Sequence, residues 1–203
     1  MYYTADEPHG LPFDPFKAII APRPIGWIGS CDKDGRPNLA PYSFFNAVGS
    51  RPAMIAFASE GLKDSPRNIR DTGEFTFSLA TLPLAKQMNL SSASLPEGEN
   101  EFAFADLAMA PSRLVRPPFV AESPAALECK LVHFIELNDL AGQPTGRYLS
   151  IGQVVATHIK DEFIRDGRFE TIPIVHLLNR GWMDGGPIFR RRVKGGFANW
   201  YFS

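Results

Sequence analysis

Residues 127–137 read Leu-Glu-Cys-Lys-Leu-Val-His-Phe-Ile-Glu-Leu. Strict alternation places Leu127, Cys129, Leu131, Ile135 and Leu137 on one face and Glu128, Lys130 and Glu136 on the other, the pattern of a half-buried strand. A turn-rich connection follows at 141–146 (AGQPTG), then a second β-branched run at 148–159 (YLSIGQVVATHI). The two runs predict a long antiparallel hairpin. Working outward, further strands are expected at 26–30, 53–58 and 74–79, each bounded by Gly, Pro, Ser or charged turn residues. Asp34-Gly35 is a hairpin turn signal that pairs 25–30 with 37–40. Helical periodicity is confined to 66–72 and 83–90, with a short turn at 99–106. The fold class is therefore mainly β, a closed or split β-barrel with a few short α-helices.

The 203 residues include 17 glycines and 18 prolines spread along the chain, which implies frequent turns and short elements. With 44% hydrophobic and 21% charged residues the chain is neither disordered nor fibrous, and at this length roughly 70% of the extended surface can be buried. We find no repeat, low-complexity tract or composition shift that marks a linker, so residues 1–203 are expected to form a single domain. Lysine and arginine number 21 against 22 acids, which removes the electrostatic footprint of a nucleic-acid binder. No apolar run is long enough to span a membrane, and the opening MYYTADEPHGLPFD does not read as a secretory signal, so a cytoplasmic location is expected. Cys31 and Cys129 are too far apart in sequence for a redox pair and too few for a zinc site, and they read as reduced thiols in or near the core.

Two stretches point to chemistry. In GLKDSPRNIRDTGEF (61–75), Ser65 is the expected N-cap, Pro66 the first helical residue and Gly73 the residue past the end. A helix N-terminus with Lys63 beside it suits a phosphate; an ordinary surface helix with a solvated lysine fits the same residues. In DGRPNLAPYSFFNAV (34–48), Pro41, Tyr42, Ser43, Phe44, Phe45 and Asn46 mix rings with small polar groups on a backbone that proline leaves incompletely paired. Such a stretch offers main-chain donors and flat apolar contacts to a planar heteroaromatic ligand; an aromatic cluster packed under a loop is the competing reading.

Taken in order, PRPIGWIGS (22–30), NLAPYSFFNAV (38–48), KDSPRNI (63–69), TGEF (72–75), EFAFADL (101–107), ALECKLVHFIEL (126–137) and GQVVATHI (152–159) resemble the flavin reductase-like, FMN-binding split-barrel family, in its flavoredoxin-like branch. The resemblance covers roughly residues 13–180 and leaves 181–203 as a C-terminal extension. It implies a Greek-key-like split barrel that binds FMN and pairs as a homodimer with the flavin near the subunit interface. On that basis Arg23, Pro24, Ile25, Gly26 and Trp27 border the flavin. Pro41, Tyr42, Ser43, Phe44 and Asn46 contact its ring and ribityl chain. Ala58, Ser59, Lys63, Asp64, Ser65 and Asn68 surround the phosphate. Ser65 stands where threonine is common in the family and keeps the hydroxyl, whereas His176, Asn179, Arg180 and the RRRVK run (190–194) match less well.

The activity so implied is transfer of a hydride from NADH or NADPH through flavin to an acceptor. The alternative is an electron carrier of flavoredoxin type, reduced by a protein partner. A partner redox protein or oxygenase is compatible with either. No side chain need act as acid or base, so no catalytic residue is assigned, and the absence of GxGxxG means nicotinamide binds without a Rossmann unit. The four histidines show no close ligand spacing, so no metal site is expected, and GxSxG is missing. His133 is expected on the apolar face as a hydrogen-bonded core or interface residue. The RRRVK run is expected to be a solvated or subunit-contact surface, and the aromatic tail NWYF (199–202) to pack on its own barrel or on a partner.

Overall fold

The computed structural model describes residues 1–93, 95–96 and 99–170, and beyond them the backbone of three strands between 177 and 200. In chain order the elements are α1 (Phe16–Ile19), β1 (Arg23–Pro24), β2 (Gly26–Cys31), β3 (Pro37–Tyr42), β4 (Phe45–Ser50), β5 (Ala53–Glu60), α2 (Asp64–Thr72) and β6 (Glu74–Leu79). After a 3-10 turn come α3 (Ala85–Leu90), α4 (Glu101–Phe104), β7 (Met109–Ala110), β8 (Phe119–Val120), β9 (Ala125–Asn138) and β10 (Pro144–Ile159). Short strands β11 (Ile164–Arg165) and β12 (Arg168–Phe169) follow, then β13 (Leu177–Asn179), β14 (Ile188–Val193) and β15 (Gly196–Trp200). His176, Arg180 and the side chains of the RRRVK run and of the aromatic tail lie outside the described residues.

Seven strands form one antiparallel sheet in the order β3-β2-β6-β9-β10-β5-β4. The edge strands β3 and β4 are consecutive in sequence, joined by the bend at Ser43 and Phe44, and side chains close the split between them. Tyr42 at the end of β3 packs on Phe57 of β5 at 4.6 Å, and Phe45 of β4 stacks on Phe77 of β6 at 5.0 Å. The barrel core comprises Ile28, Ile55, Phe57, Ile69, Phe75 and Cys129. Gly152 is required there, because a Cβ on it would lie 2.3 Å from the Phe75 ring.

All six residues of β2 are buried because both of its faces are covered. Ile28 enters the barrel, while Trp27 faces outward into a second core with Leu39, Met88, Phe102, Leu107 and Val120, supplied in part by α3 and α4. The Trp27 Nε1 donates to Ser91 Oγ at 2.8 Å, so the one polar atom of the indole is satisfied. Next to this core, the segment after β7 is strapped over the outer face of β6 and β9. Glu128, with no exposed surface, accepts from the main-chain N–H groups of Arg113, Leu114 and Val115 at 2.8, 2.6 and 3.1 Å, and His158 Nε2 lies 2.6 Å from its other side. Thr76 donates to Pro118 O and Glu74 accepts from Arg116 N.

The hairpin β9–β10 forms where the alternation predicts it, with two corrections. Glu128 belongs to the outward face as read, but the strap buries it. Val132 is an extra residue between Leu131, opposite Gly152, and His133, opposite Ile151. This bulge reverses the alternation. Leu127, Cys129 and Leu131 point into the barrel, whereas Ile135 and Leu137 share the outward face with His133, and His133 is exposed rather than part of a hydrogen-bonded core. The helix predicted at 66–72 starts earlier: Lys63 occupies the N-cap position and Ser65 lies inside the first turn, its hydroxyl accepting a hydrogen bond from Asn38. Gly73 ends the helix in the left-handed region as expected, its N–H donating to Ile69 O. The stretch 41–46 is not irregular: Pro41 and Tyr42 complete β3, and Phe45 and Asn46 open the edge strand β4. Proline is tolerated in β3 because that strand has only one neighbour.

Candidate functional site

The bend at Ser43 and Phe44 is the meeting point of three segments singled out in the sequence. Phe44 O accepts from Ala58 N at 2.8 Å, which ties the bend to the end of β5. Arg23, only 5% exposed, sets its guanidinium 5.7 Å from the Phe44 ring centroid and donates to the carbonyls of Lys17 and Ile20. Burial lowers its pKa, yet a guanidinium stays protonated throughout the physiological range. Pro24 pairs with the backbone of Leu178, and Gly26 lies against Phe45, where a Cβ would approach the ring to 2.4 Å. Asn46 is exposed on β4 opposite Ala56, its Oδ1 accepting from Ala47 N. As the edge of the sheet, β4 directs alternate main-chain groups away from β5, which supplies the unpaired donors and acceptors that a planar ligand needs.

A second group lies under α2. The Tyr42 hydroxyl interacts with those of Ser65 and Ser59, and burial, offset in part by these two, raises its pKa. Ser59 Oγ donates to Gly61 O at 3.0 Å. Asn38 Nδ2 donates to Ser65 Oγ at 2.8 Å and Ser30 Oγ at 3.2 Å, and Asn68 Nδ2 donates to the same Ser30 at 3.3 Å. Ser30, Asn38, Ser59, Ser65 and Asn68 are all buried. They seat the N-terminal turn of α2 on β2 and β3. The exposed end of that turn carries Lys63 at the cap and Asp64, which is paired with Arg67. The dipole of α2 and the Lys63 charge both favour an anion there.

The structure thus joins Arg23, Phe44 and Ala58 at one place, and Tyr42, Ser59, Ser65 and Asn68 at another. It separates Ile25 and Trp27 from both, because their side chains enter the core shared with α3 and α4, and only their backbone is left to border a ligand. Sequence reading missed Ser30 and Asn38, partners of Ser65 and Asn68, although the strand period puts both on one face across the hairpin. It also missed Lys17, whose Nζ lies 5.7 Å from the Phe44 centroid. No sequence signal marks that residue.

Other chemistry is scarce. Cys31 and Cys129 are buried, which pushes their thiols up to about 11 and about 12 and keeps them from acting as thiolates. Among the described residues, no three His, Cys, Asp or Glu side chains gather as a metal-ligand set, and no helix is long and apolar enough to cross a membrane. A cleft of about 650 Å³ on the outer side of α2 is lined by residues that include Asp32, Asp71 and Glu99; its carboxylates outnumber its cations, so a phosphate is disfavoured there.

The profile of the flavin reductase like domain matches residues 20–176. The chain belongs to this family. A flavin reductase-like relative of unassigned role from Deinococcus radiodurans is 36% identical over 177 residues, covering 83% of this chain and 75% of its own length. Among solved structures, nitrilotriacetate monooxygenase component B from Bacillus cereus superposes with a TM-score of 0.76 at 27% identity, over 100% of this chain and 98% of that one. Flavoredoxin of Desulfovibrio vulgaris shares the fold, with a TM-score of 0.69 at 23% identity over 88% of each chain. The split barrel is therefore that of the flavin reductases, and this family member is a flavin-binding oxidoreductase.

Proposed function

We propose that this flavin reductase-like protein binds FMN at the junction of β3, β4, β5 and α2, takes a hydride from NADH or NADPH, and delivers electrons to a separate acceptor. The observation that carries the reading is the family match over 20–176, the span that contains all sixteen candidate residues. The residues present fit the cofactor: Lys63 and the α2 N-terminus suit a phosphate, and the edge strand β4 with Phe44 and Ala58 suits a flat ring carrying amide-like edges. When bound, FMN supplies two-electron redox chemistry that amino-acid side chains lack.

The chain's own part is to bind and orient. Lys63 and the first-turn N–H groups of α2 hold the anionic end. The buried hydroxyls of Ser59 and Ser65 and the amides of Asn38 and Asn68 fix the helix that presents them. Main-chain groups of 43–46 address the polar rim of the ring, and preorganised donors there favour the charge that grows on reduction. No side chain of the site is assigned a proton-transfer role. Lys63→Ala is expected to weaken FMN binding by about ten- to a hundredfold, the loss of one charge-assisted contact of roughly 1.5 to 3 kcal/mol, with the fold intact. A fluorescence titration with FMN measures it, and an unchanged affinity moves the phosphate seat elsewhere.

The protein is further proposed to work as a homodimer in the cytoplasm, with residues 1–203 as one unit that includes the extension 181–203. Support for pairing comes from the outward rows Ile135–Leu149–Ala58 and His133–Ile151–Ala56–Asn46, which are largely apolar and carry two of the candidate residues. An oxygenase component or other redox protein is proposed as acceptor, in keeping with the likeness to a monooxygenase component.

The experiment that tests the activity is an absorption spectrum of the purified protein after FMN addition and desalting, repeated anaerobically with NADH and with NADPH. A retained flavin spectrum bleached by one nicotinamide supports the reductase. Retained flavin that stays oxidised identifies a carrier awaiting a protein donor, and no retained flavin overturns tight cofactor binding.

A further inference from the structure

Two cations from separate segments converge on one ring. Lys17 Nζ, on α1, and Arg23 Cζ, on β1, each lie 5.7 Å from the Phe44 centroid. The arrangement is built rather than incidental. Arg23 is nine-tenths buried and donates to the carbonyls of Lys17 and Ile20, the acceptors that a four-residue helix leaves without helical partners. The same guanidinium thereby fixes α1 beside the Ser43–Phe44 bend, and Phe44 O is in turn held by Ala58 N. Lys17 is half-buried, and among the described residues no carboxylate pairs with it. Each cation is attracted to the ring, but the two repel one another, and an anion between them would relieve that repulsion. With cations against it, the Phe44 ring is better suited to carrying positive charge into the site than to stacking on a ligand.

We infer that Lys17 and Arg23, gathered on Phe44, form a second anion subsite at the candidate flavin site, separate from the α2 N-terminus, that takes a phosphate group of a bound nucleotide. The inference rests on the reading that places flavin against residues 41–46. Two ligands carry the required chemistry, FMN with its monophosphate and the nicotinamide reductant with its diphosphate.

The test uses the full chain and inorganic pyrophosphate, titrated calorimetrically at low ionic strength into the wild type, Lys17→Gln, Lys17→Arg and Lys63→Ala. Lys17→Gln is expected to weaken binding about ten- to a hundredfold and Lys17→Arg to restore most of it, with melting temperatures unchanged; Lys63→Ala retains Lys17-dependent binding. Equal pyrophosphate affinity in wild type and Lys17→Gln overturns the subsite. The source is then assigned by comparison with riboflavin, which lacks the phosphate. A Lys17→Gln loss seen for FMN but not riboflavin gives the subsite to the flavin, whereas a raised KM for NADH or NADPH with kcat preserved gives it to the reductant. Lys17-dependent pyrophosphate binding in a protein that binds no FMN supports the anion subsite while overturning the flavin reading.

Discussion

The two ends of β9 present opposite outcomes of one rule. At its start the outward Glu128 is fully buried; ten ångströms or more along the same face, beyond the bulge, the outward Ile135 is 42% exposed. Half of the barrel's outer surface is covered by α3, α4 and the strap at 111–118, and there even a carboxylate is enclosed, its oxygens matched by three N–H donors and a histidine. The other half, formed by β10, β5, β4 and the end of β9, has no cover from its own described residues and leaves Val48, Val132 and Ile135 in contact with solvent. Burial here is decided by what packs over a position, and side-chain polarity alone does not determine it. The uncovered half also holds Asn46 and Ala58, which is why partner and ligand are sought on the same surface.

The covered half should be the more sensitive to truncation. Trp27→Ala removes a fully buried indole and its bond to Ser91, and is expected to cost about 3–5 kcal/mol in urea unfolding. A loss under 1 kcal/mol would mean that the second core contributes little. On the uncovered half, Ile135→Asp should leave the folded monomer within about 1 kcal/mol of wild type and raise the dimer dissociation constant by about a hundredfold or more, roughly 3 kcal/mol, read by sedimentation. If the variant sediments as wild type, that face is not where the subunits meet.

Glu128→Gln probes the strap directly. It keeps the shape, removes the charge and sets an amide N–H₂ against N–H donors, at an expected cost of about 2–3 kcal/mol near neutral pH. The sign of the pH dependence follows from the carboxyl. Burial opposes ionisation, but hydrogen bonds from Arg113 and Leu114 N–H and from His158 outweigh it and hold the Glu128 pKa below its ordinary 4.5. The stabilisation is therefore present above the unfolded-state value and lost as pH falls through the folded one. Stability curves of wild type and Glu128→Gln should converge on acidification, and parallel curves would rule out the carboxylate as the source. The smallest effect is expected at an exposed pair: Lys33→Ala removes a 3.7 Å contact with Asp71 and should change stability by less than about 0.5 kcal/mol, a control for charge removal without burial.

Much of this was legible in the residues. The strands β2, β5, β6, β9 and β10, the Gly73 stop of α2 and the β2–β3 hairpin follow from alternation and turn chemistry, which are local. The ordered motifs from Pro22 to Ile159 were enough to place the chain in its family, since each occupies a position where the barrel needs that residue type. Three things needed the folded chain. The bulge at Val132 has no signature among Leu131, Val132 and His133, because it is set by register against β10. The role of Ser65 as partner to Asn38 rather than helix cap depends on a strand 27 positions earlier packing under α2. Lys17 gains meaning only when the guanidinium of Arg23 docks α1 beside Phe44. The sequence by itself determined which segments are strands and which face of each is apolar, because those depend on neighbours two to four residues away; the tertiary structure decided which faces are covered and which charges meet, because these depend on contacts between segments far apart in the chain.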